Sequence, residues 1–235
     1  MKIRTEKIQV MWFKACIFDL DGVIVDTAKY HFLAWKRLAD EMGINFTEHD
    51  NERLKGVSRM ASLEIILELG GKSLPQTEKE KLADIKNRWY VEYISRMTPE
   101  EILPGAMEFV RELRNKNYKV ALGSASKNTP MIIERVGMTD IFDAVADGNT
   151  VRKAKPDPEV FLKASSVLGV DPDRCIVFED AAAGIEAALN AGMACVGIGN
   201  SKILKNAHLV IGGLNEMNID KIYSLEKQLG HEKLV

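Results

Sequence analysis

The stretch Ala15-Cys16-Ile17-Phe18-Asp19-Leu20-Asp21-Gly22 decides how this chain reads. Its apolar half predicts a short buried strand, and that strand ends in two carboxylates one residue apart. In an open parallel sheet, ligands gather at the carboxyl ends of the strands. If the backbone stays extended past Phe18, residues i and i+2 point the same way, so Asp19 and Asp21 face one pocket. Neighbouring acids repel, so such a pair implies a bound cation or a division between two ionisation states. A calcium loop counted from Asp19 fails, because Val23 and Tyr30 fall where an oxygen ligand and a bidentate Glu are needed. A solvated Asp-Gly turn accounts for the four residues about as well. The rest of the chain has to decide.

Working outward, further runs read as buried strands: Lys119–Gly123, Ala144–Ala146, Cys175–Phe178, Cys195–Ile198 and Leu209–Ile211. They are almost continuously apolar, which suits a sheet covered on both faces. Helical patterns separate most of them. Met131 to Val136 stops at Gly137, Pro158 to Leu168 at Gly169, and Ala182 to Ala191 at Gly192, each with the expected glycine just past the end. The alternation predicts an α/β fold with a doubly wound parallel sheet.

The segment 28–99 carries no strand pattern. Phe32, Trp35, Leu38, Ala39 and Met42 recur at helical spacing and stop at Gly43. Ser58 is placed to cap a helix bearing Leu63, Ile66 and Leu67. Thr77-x-x-Glu80 reads as a capping box opening a long helix with Leu82, Ile85 and Trp89 on one face. Leu103-Pro104-Gly105 marks the return to the sheet. The expected division is therefore a core of residues 1–27 and 100–235 with an inserted α-helical cap, 28–99, above the strand ends where a lid belongs. The tail from about Asn218 reads as helical.

Composition narrows the function. The chain has 235 residues, 46% hydrophobic and 28% charged, with a formal net charge of -2. No basic field favours nucleic acid or an anionic membrane, and no apolar run approaches the roughly 20 residues of a membrane span. Met1 to Gln9 is charged and lacks the apolar centre of a secretory signal. Cys16, Cys175 and Cys195 each sit in an apolar run, which reads as reduced, buried thiols in a cytoplasmic protein.

Three more polar signals fall at or near strand ends: Ser124-Ala125-Ser126-Lys127-Asn128, Lys155-Pro156 and Glu179-Asp180. Singly each has an ordinary reading, as N-cap serines, a surface lysine and a solvated acidic loop. Together they supply a carboxylate nucleophile, carboxylates for Mg²⁺, and a hydroxyl and a lysine for phosphate oxygens.

In that order, Asp19-x-Asp21-Gly22, Ser124, Lys155-Pro156 and Glu179-Asp180 resemble the haloacid dehalogenase superfamily of phosphohydrolases and phosphomutases. The resemblance spans nearly the whole chain after the first dozen residues. It extends in the cap to Tyr30-His31-Phe32 with Trp35, and to Leu54-Lys55-Gly56-Val57-Ser58-Arg59, which resemble the sugar-phosphate mutases of that superfamily. Gly123 and Ala181 depart from its commoner Ala and Ser without removing a ligand. The resemblance implies a Rossmann-like core and a phosphoaspartate on Asp19. Asp21 is implied as general acid and base, and Ser124 and Lys155 as holders of the transferring phosphoryl oxygens. It further implies Mg²⁺ at Asp19, Asp180 and the Asp21 carbonyl, with Glu179 acting through water. Thr27 falls at the hinge, and His31 one turn on is implied to position Asp21. Substrate contacts are implied for Trp35, Lys55, Gly56, Val57, Ser58, Arg59 and Lys86, and for Ala125, Ser126, Lys127 and Asn128. Arg59, Ser126 and Asn128 would clamp a distal phosphate. The activity implied is interconversion of β-glucose 1-phosphate and glucose 6-phosphate through a bisphosphorylated sugar, in a monomer. Sugar-phosphate hydrolysis is the alternative, and a non-catalytic phosphosugar sensor a third reading that intact Asp19 and Asp21 oppose.

Overall fold

The structure is a computed structural model that describes residues 11–54 and 57–230. Lys55, Gly56 and the charged stretch Met1 to Gln9 lie outside the described residues. Six strands among the described residues form one parallel sheet: β1 (Ala15–Phe18), β2 (Lys119–Gly123), β3 (Ala144–Ala146), β4 (Cys175–Glu179), β5 (Ala194–Ile198) and β6 (Leu209–Ile211). Their order is β3-β2-β1-β4-β5-β6. The chain builds outward from β1 in one direction, then returns to its other side at β4. The crevice where the order reverses is thus at the carboxyl ends of β1 and β4.

The two faces of the sheet explain the continuous apolar runs. Cys16, Phe18, Val120, Leu122, Ile176 and Phe178 point into one buried cluster. Ala15, Ile17, Ala121, Cys175, Val177 and Cys195 point into the other. Alternate residues serve opposite faces, and both faces are covered, so the strand interiors are apolar and polar residues stand only at strand ends, as Lys119 and Glu179 do. Phe18 stacks on Phe178 with centroids 4.7 Å apart, which locks the ends of β1 and β4 together.

Helices α1 (Ala28–Glu41), α2 (Glu48–Asn51), α3 (Arg59–Leu69) and α4 (Gln76–Ile94) follow β1 and pack on a separate apolar cluster that includes Trp35, Leu38, Phe46, Leu63 and Ile66. The chain leaves and rejoins the sheet through two adjacent linkers. Leu103 N–H donates to the Ile24 carbonyl at 2.9 Å and Asp26 N–H to the Glu101 carbonyl at 3.0 Å. Tyr30 hydroxyl donates to Glu101, tying the first turn of α1 to the returning linker. The remaining helices, α5 (Ala106–Asn115), α6 (Thr129–Arg135), α7 (Glu159–Leu168), α8 (Ala182–Asn190) and α9 (Ile219–Gln228), flank the sheet.

Two local expectations are corrected. Thr77 does not cap α4: the helix starts at Gln76 with Pro75 at the N-cap. Proline's fixed φ suits a helix entry and needs no amide donor there, so the start moves upstream of the Thr-x-x-Glu pattern. The backbone also does not run extended from Asp19 to Asp21. It bends at Leu20, and the turn that follows is closed by Ile24 N–H donating to the Leu20 carbonyl at 3.0 Å and Gly22 N–H to the Val25 carbonyl at 2.9 Å.

Candidate active site

Asp19 is the first residue beyond β1, where its own N–H donates to the Phe178 carbonyl of β4 at 2.9 Å. Its carboxylate accepts from the Lys155 ammonium, which also donates to Glu179 Oε2 at 2.9 Å. All three side chains are buried. Burial by itself would lower the Lys155 ammonium, but the Asp19 and Glu179 carboxylates outweigh it and hold Lys155 above its ordinary value. Glu179 is pushed up by burial and then by Asp19, against the pull of Lys155. Its second oxygen accepts from Ala181 N–H at 3.2 Å. Both oxygens are therefore tied to the chain.

Carboxylate oxygens of Asp19, Glu179 and Asp180 lie within 4.8 Å of one another. An all-oxygen donor set of this kind suits a hard ion such as Mg²⁺. Gly22 has a φ of 80°, and a Cβ there would strike the Asp180 carboxylate. Only glycine lets the turn after β1 close against Asp180.

Asp21 belongs to the same cavity but not to the carboxylate cluster. Its carboxylate accepts from the Thr27 hydroxyl at the first cap linker. Burial, then the nearby Asp19 charge, push its carboxyl up to about 6, with Thr27, Lys155 and Lys86 acting the other way. A carboxyl near 6 can give and take a proton at neutral pH.

Above it, the cap presents a cationic, aromatic wall. Lys86 Nζ sits 3.0 Å from His31 Nδ1, 4.5 Å from the Trp35 ring centroid and 4.6 Å from that of Tyr90. His31 and Tyr90 rings pack at 4.1 Å. Burial, then Arg59, lower Lys86 to about 7. Burial, then Lys86 and Arg59, hold His31 well below its usual range.

Arg59 opens α3 behind Ser58, whose hydroxyl accepts from Ala61 N–H at 3.2 Å. Across the cavity, the loop after β2 folds on itself. Ser126 N–H donates to Ser124 Oγ at 3.1 Å and Asn128 N–H to Ser126 Oγ at 3.2 Å. Neither serine caps α6; Asn128 stands at its N-cap.

A cavity of 910 Å³ lies between the strand ends and the cap. Asp19, Asp21, Lys155, Glu179 and Asp180 line its floor; Thr27, His31, Trp35, Lys86, Val57, Ser58 and Arg59 line its cap side. Ala125, Ser126, Lys127 and Asn128 line the wall between. Ser124 is not part of the lining: it is fully buried behind that wall. Sequence reasoning passed over Asn87, Asp84 and Tyr90 of α4, which also line the cavity. The signal available was Ala83, Asn87 and Tyr90 at i, i+4 and i+7, one helix face. The apolar stripe Leu82, Ile85 and Trp89 lies beside that face and is only partly buried.

The haloacid dehalogenase-like hydrolase family model matches residues 13–192. The β-phosphoglucomutase of Bacillus subtilis is 46% identical over 212 residues, covering 89% of this chain and 94% of that protein. A phosphorylated carbohydrates phosphatase of Thermotoga maritima is 32% identical over 183 residues, 77% of this chain and 82% of its own. The crystal structure of a β-phosphoglucomutase from Clostridium difficile superposes with a TM-score of 0.88 at 43% identity, covering 92% of this chain and 98% of that one.

Proposed function

This chain belongs to the haloacid dehalogenase-like hydrolase family, and from that premise we propose that it is a phosphomutase interconverting β-glucose 1-phosphate and glucose 6-phosphate. The observation that carries the reading is the two-ended cavity. A buried carboxylate held by a lysine stands at one end, and the basic side chains of Arg59 and Lys86 stand over it from the cap. A substrate with one phosphate reacting and another held apart fits that polarity.

Asp19 is the proposed nucleophile. Its oxygen forms a bond to phosphorus as the bond from phosphorus to the sugar oxygen breaks, giving an aspartyl phosphate and a free hydroxyl. Asp21, protonated beforehand, gives its proton to that leaving oxygen. In the opposite half-reaction a sugar hydroxyl attacks the aspartyl phosphate and Asp21 takes the hydroxyl proton. A carboxyl near 6 serves both directions. Lys155 faces the oxygens that gain charge. Thr27, bonded to Asp21 at the linker, joins proton transfer to the cap's position. His31 and Lys86 are proposed to orient Asp21 and the sugar. Arg59, Ser126 and Asn128 are proposed to hold the distal phosphate. A 1,6-bisphosphate that turns over between half-reactions connects the two.

The carboxylates of Asp19 and Asp180, with the Asp21 carbonyl, would hold Mg²⁺, and Glu179 would steady that group through its bonds to Lys155 and Ala181. The ion would offset repulsion between Asp19 and the incoming phosphate.

We take residues 28–99 as a mobile cap on a core of 1–27 and 100–235, closing to exclude water from the aspartyl phosphate. Among the described residues no helix is long and apolar enough to cross a membrane. The three cysteines are buried and free of disulfides, which supports a reducing, cytoplasmic setting.

The test is one assay on both anomers of glucose 1-phosphate, with Mg²⁺ and a trace of glucose 1,6-bisphosphate. Glucose 6-phosphate from the β anomer with little free phosphate is expected. Stoichiometric phosphate release would favour the second reading, a sugar-phosphate phosphatase, which the likeness to the Thermotoga protein supports. Asp19→Asn, which keeps the shape and removes the nucleophile, should abolish both activities; substantial residual turnover would refute covalent catalysis.

A further inference from the structure

Arg59 belongs to the cap and Asn128 to the core, yet both donate to a single atom. Arg59 Nη2 lies 2.8 Å from Asn87 Oδ1, and Asn128 Nδ2 lies 3.2 Å from the same oxygen. Asn87 is on α4, next to Lys86, and lines the cavity. A neutral carbonyl oxygen thus joins the two donors assigned to the distal phosphate.

Arg59 has a rival partner. Its Nη1 lies 3.9 Å from Asp84 Oδ1, on the same helix as Asn87 but with a side chain 79% exposed. An arginine released from Asn87 would turn toward that carboxylate and away from the core. Asn87 offers a short, well-directed bond on the cavity side, whereas the Asp84 pair is long and exposed to solvent screening.

We propose that Asn87 is a positioning residue that ties the cap to the core across the distal end of the cavity and holds Arg59 and Asn128 in register for the second phosphate of the sugar. The inference rests on the distal-phosphate reading above. Without a ligand, the amide oxygen stands where a phosphate oxygen can receive the same two donors. On binding, the phosphate takes over those donors from a frame already set, so less side-chain ordering remains to be done at that moment.

The test compares Asn87→Ala, Asn87→Asp and Arg59→Ala in steady-state conversion of β-glucose 1-phosphate. Asn87→Ala should raise KM about tenfold, the scale of one hydrogen bond to a charged group, while kcat changes less than threefold. Asn87→Asp is nearly isosteric and keeps the acceptor but adds a negative charge beside the phosphate. It should raise KM further, and the excess over Asn87→Ala should shrink as pH falls toward 4 and the new carboxyl protonates. A merely structural asparagine would give equal KM values for the two variants at every pH. Adding Asn87→Ala to Arg59→Ala should cost less than the sum of the two single changes, because one of the two donors that Asn87 holds is then already gone. Additive effects, or an Asn87→Ala KM equal to wild type while Arg59→Ala raises it, would overturn the role given to Asn87. An unchanged KM in Arg59→Ala would instead overturn the distal-phosphate reading beneath it.

Discussion

Replacing Lys155 by Met removes one charge and little volume, and the structure states what is left behind. The ammonium is the donor to both Asp19 and Glu179, with side chains 9% and 1% exposed, and its own side chain is 2% exposed. The methionine stem can still lie against the Phe161 ring, where Nζ now sits 4.8 Å from the centroid. The loss is therefore electrostatic. Breaking a buried ion pair from one side costs roughly 3–5 kcal/mol, because the partner charge stays buried without compensation. For a chain of this length about 2–4 °C of Tm follows each kcal/mol, so a fall of about 6–20 °C is expected at neutral pH with chelator present. The pH dependence carries the sign. With the ammonium gone, Glu179, already pushed up by burial and then by Asp19, loses the pull that opposed them and holds its proton to still higher pH than the unfolded chain does. The folded state then binds more protons, and the variant loses stability as pH rises from the unfolded carboxyl value near 4 through the raised folded one. In the wild type, the Lys155 contribution is present below its unfolded value near 10.5 and fades only as pH rises through the raised folded one. Thermal and urea unfolding of both proteins between pH 5 and pH 9 should show a deficit that widens with pH. A deficit under about 1 kcal/mol at pH 8, or one independent of pH, would mean the ammonium does not hold the two carboxylates.

Three further outcomes are expected. The Asp21 carboxyl, followed by carbon-13 resonance in the metal-free protein, should titrate near 6, and a midpoint close to the ordinary aspartate value of 3.8 would remove its proposed double role. Lys86 is lowered to about 7 by burial and then Arg59, so an anionic sugar phosphate should raise it. Calorimetric binding at pH 8 in buffers of different ionisation heat should then show proton uptake approaching one per site; zero uptake would show that the substrate does not reach this lysine. A Cβ at Gly184 would overlap the Glu179 carboxyl, so Gly184→Ala should destabilise by about 1–3 kcal/mol by overpacking, despite the roughly 1 kcal/mol that alanine gains in a helix. A net stabilisation in denaturant unfolding would show that Glu179 is not pinned.

How far the chain was legible differs from element to element. Strands such as Lys119–Gly123 could be read directly because burial on both faces past the exposed Lys119 leaves an unbroken apolar run. Helix α3 was legible because Ser58 caps it, and the start of α4 was misjudged because Pro75 supplies an entry that competes with the Thr77 pattern. Asp19 and Asp21 were read as neighbours in one pocket on the assumption of an extended chain. They do share the cavity, but through a turn that sends Asp21 toward Thr27. Asn87 escaped notice because an isolated polar residue on a long helix looks like any solvated one, and its two partners lie 28 and 41 residues away.

What the sequence determined by itself is the set of local commitments: apolar runs that must be buried, the order of strands and helices, and the types of chemical group at strand ends. Those follow from periodicity and side-chain chemistry, which act over a few residues. Tertiary structure alone decided that Lys155 lies between Asp19 and Glu179, that Asp21 sits near 6, and that one amide oxygen joins cap to core. Each depends on burial and on distances between groups far apart in the chain, and electrostatic energies change steeply with both.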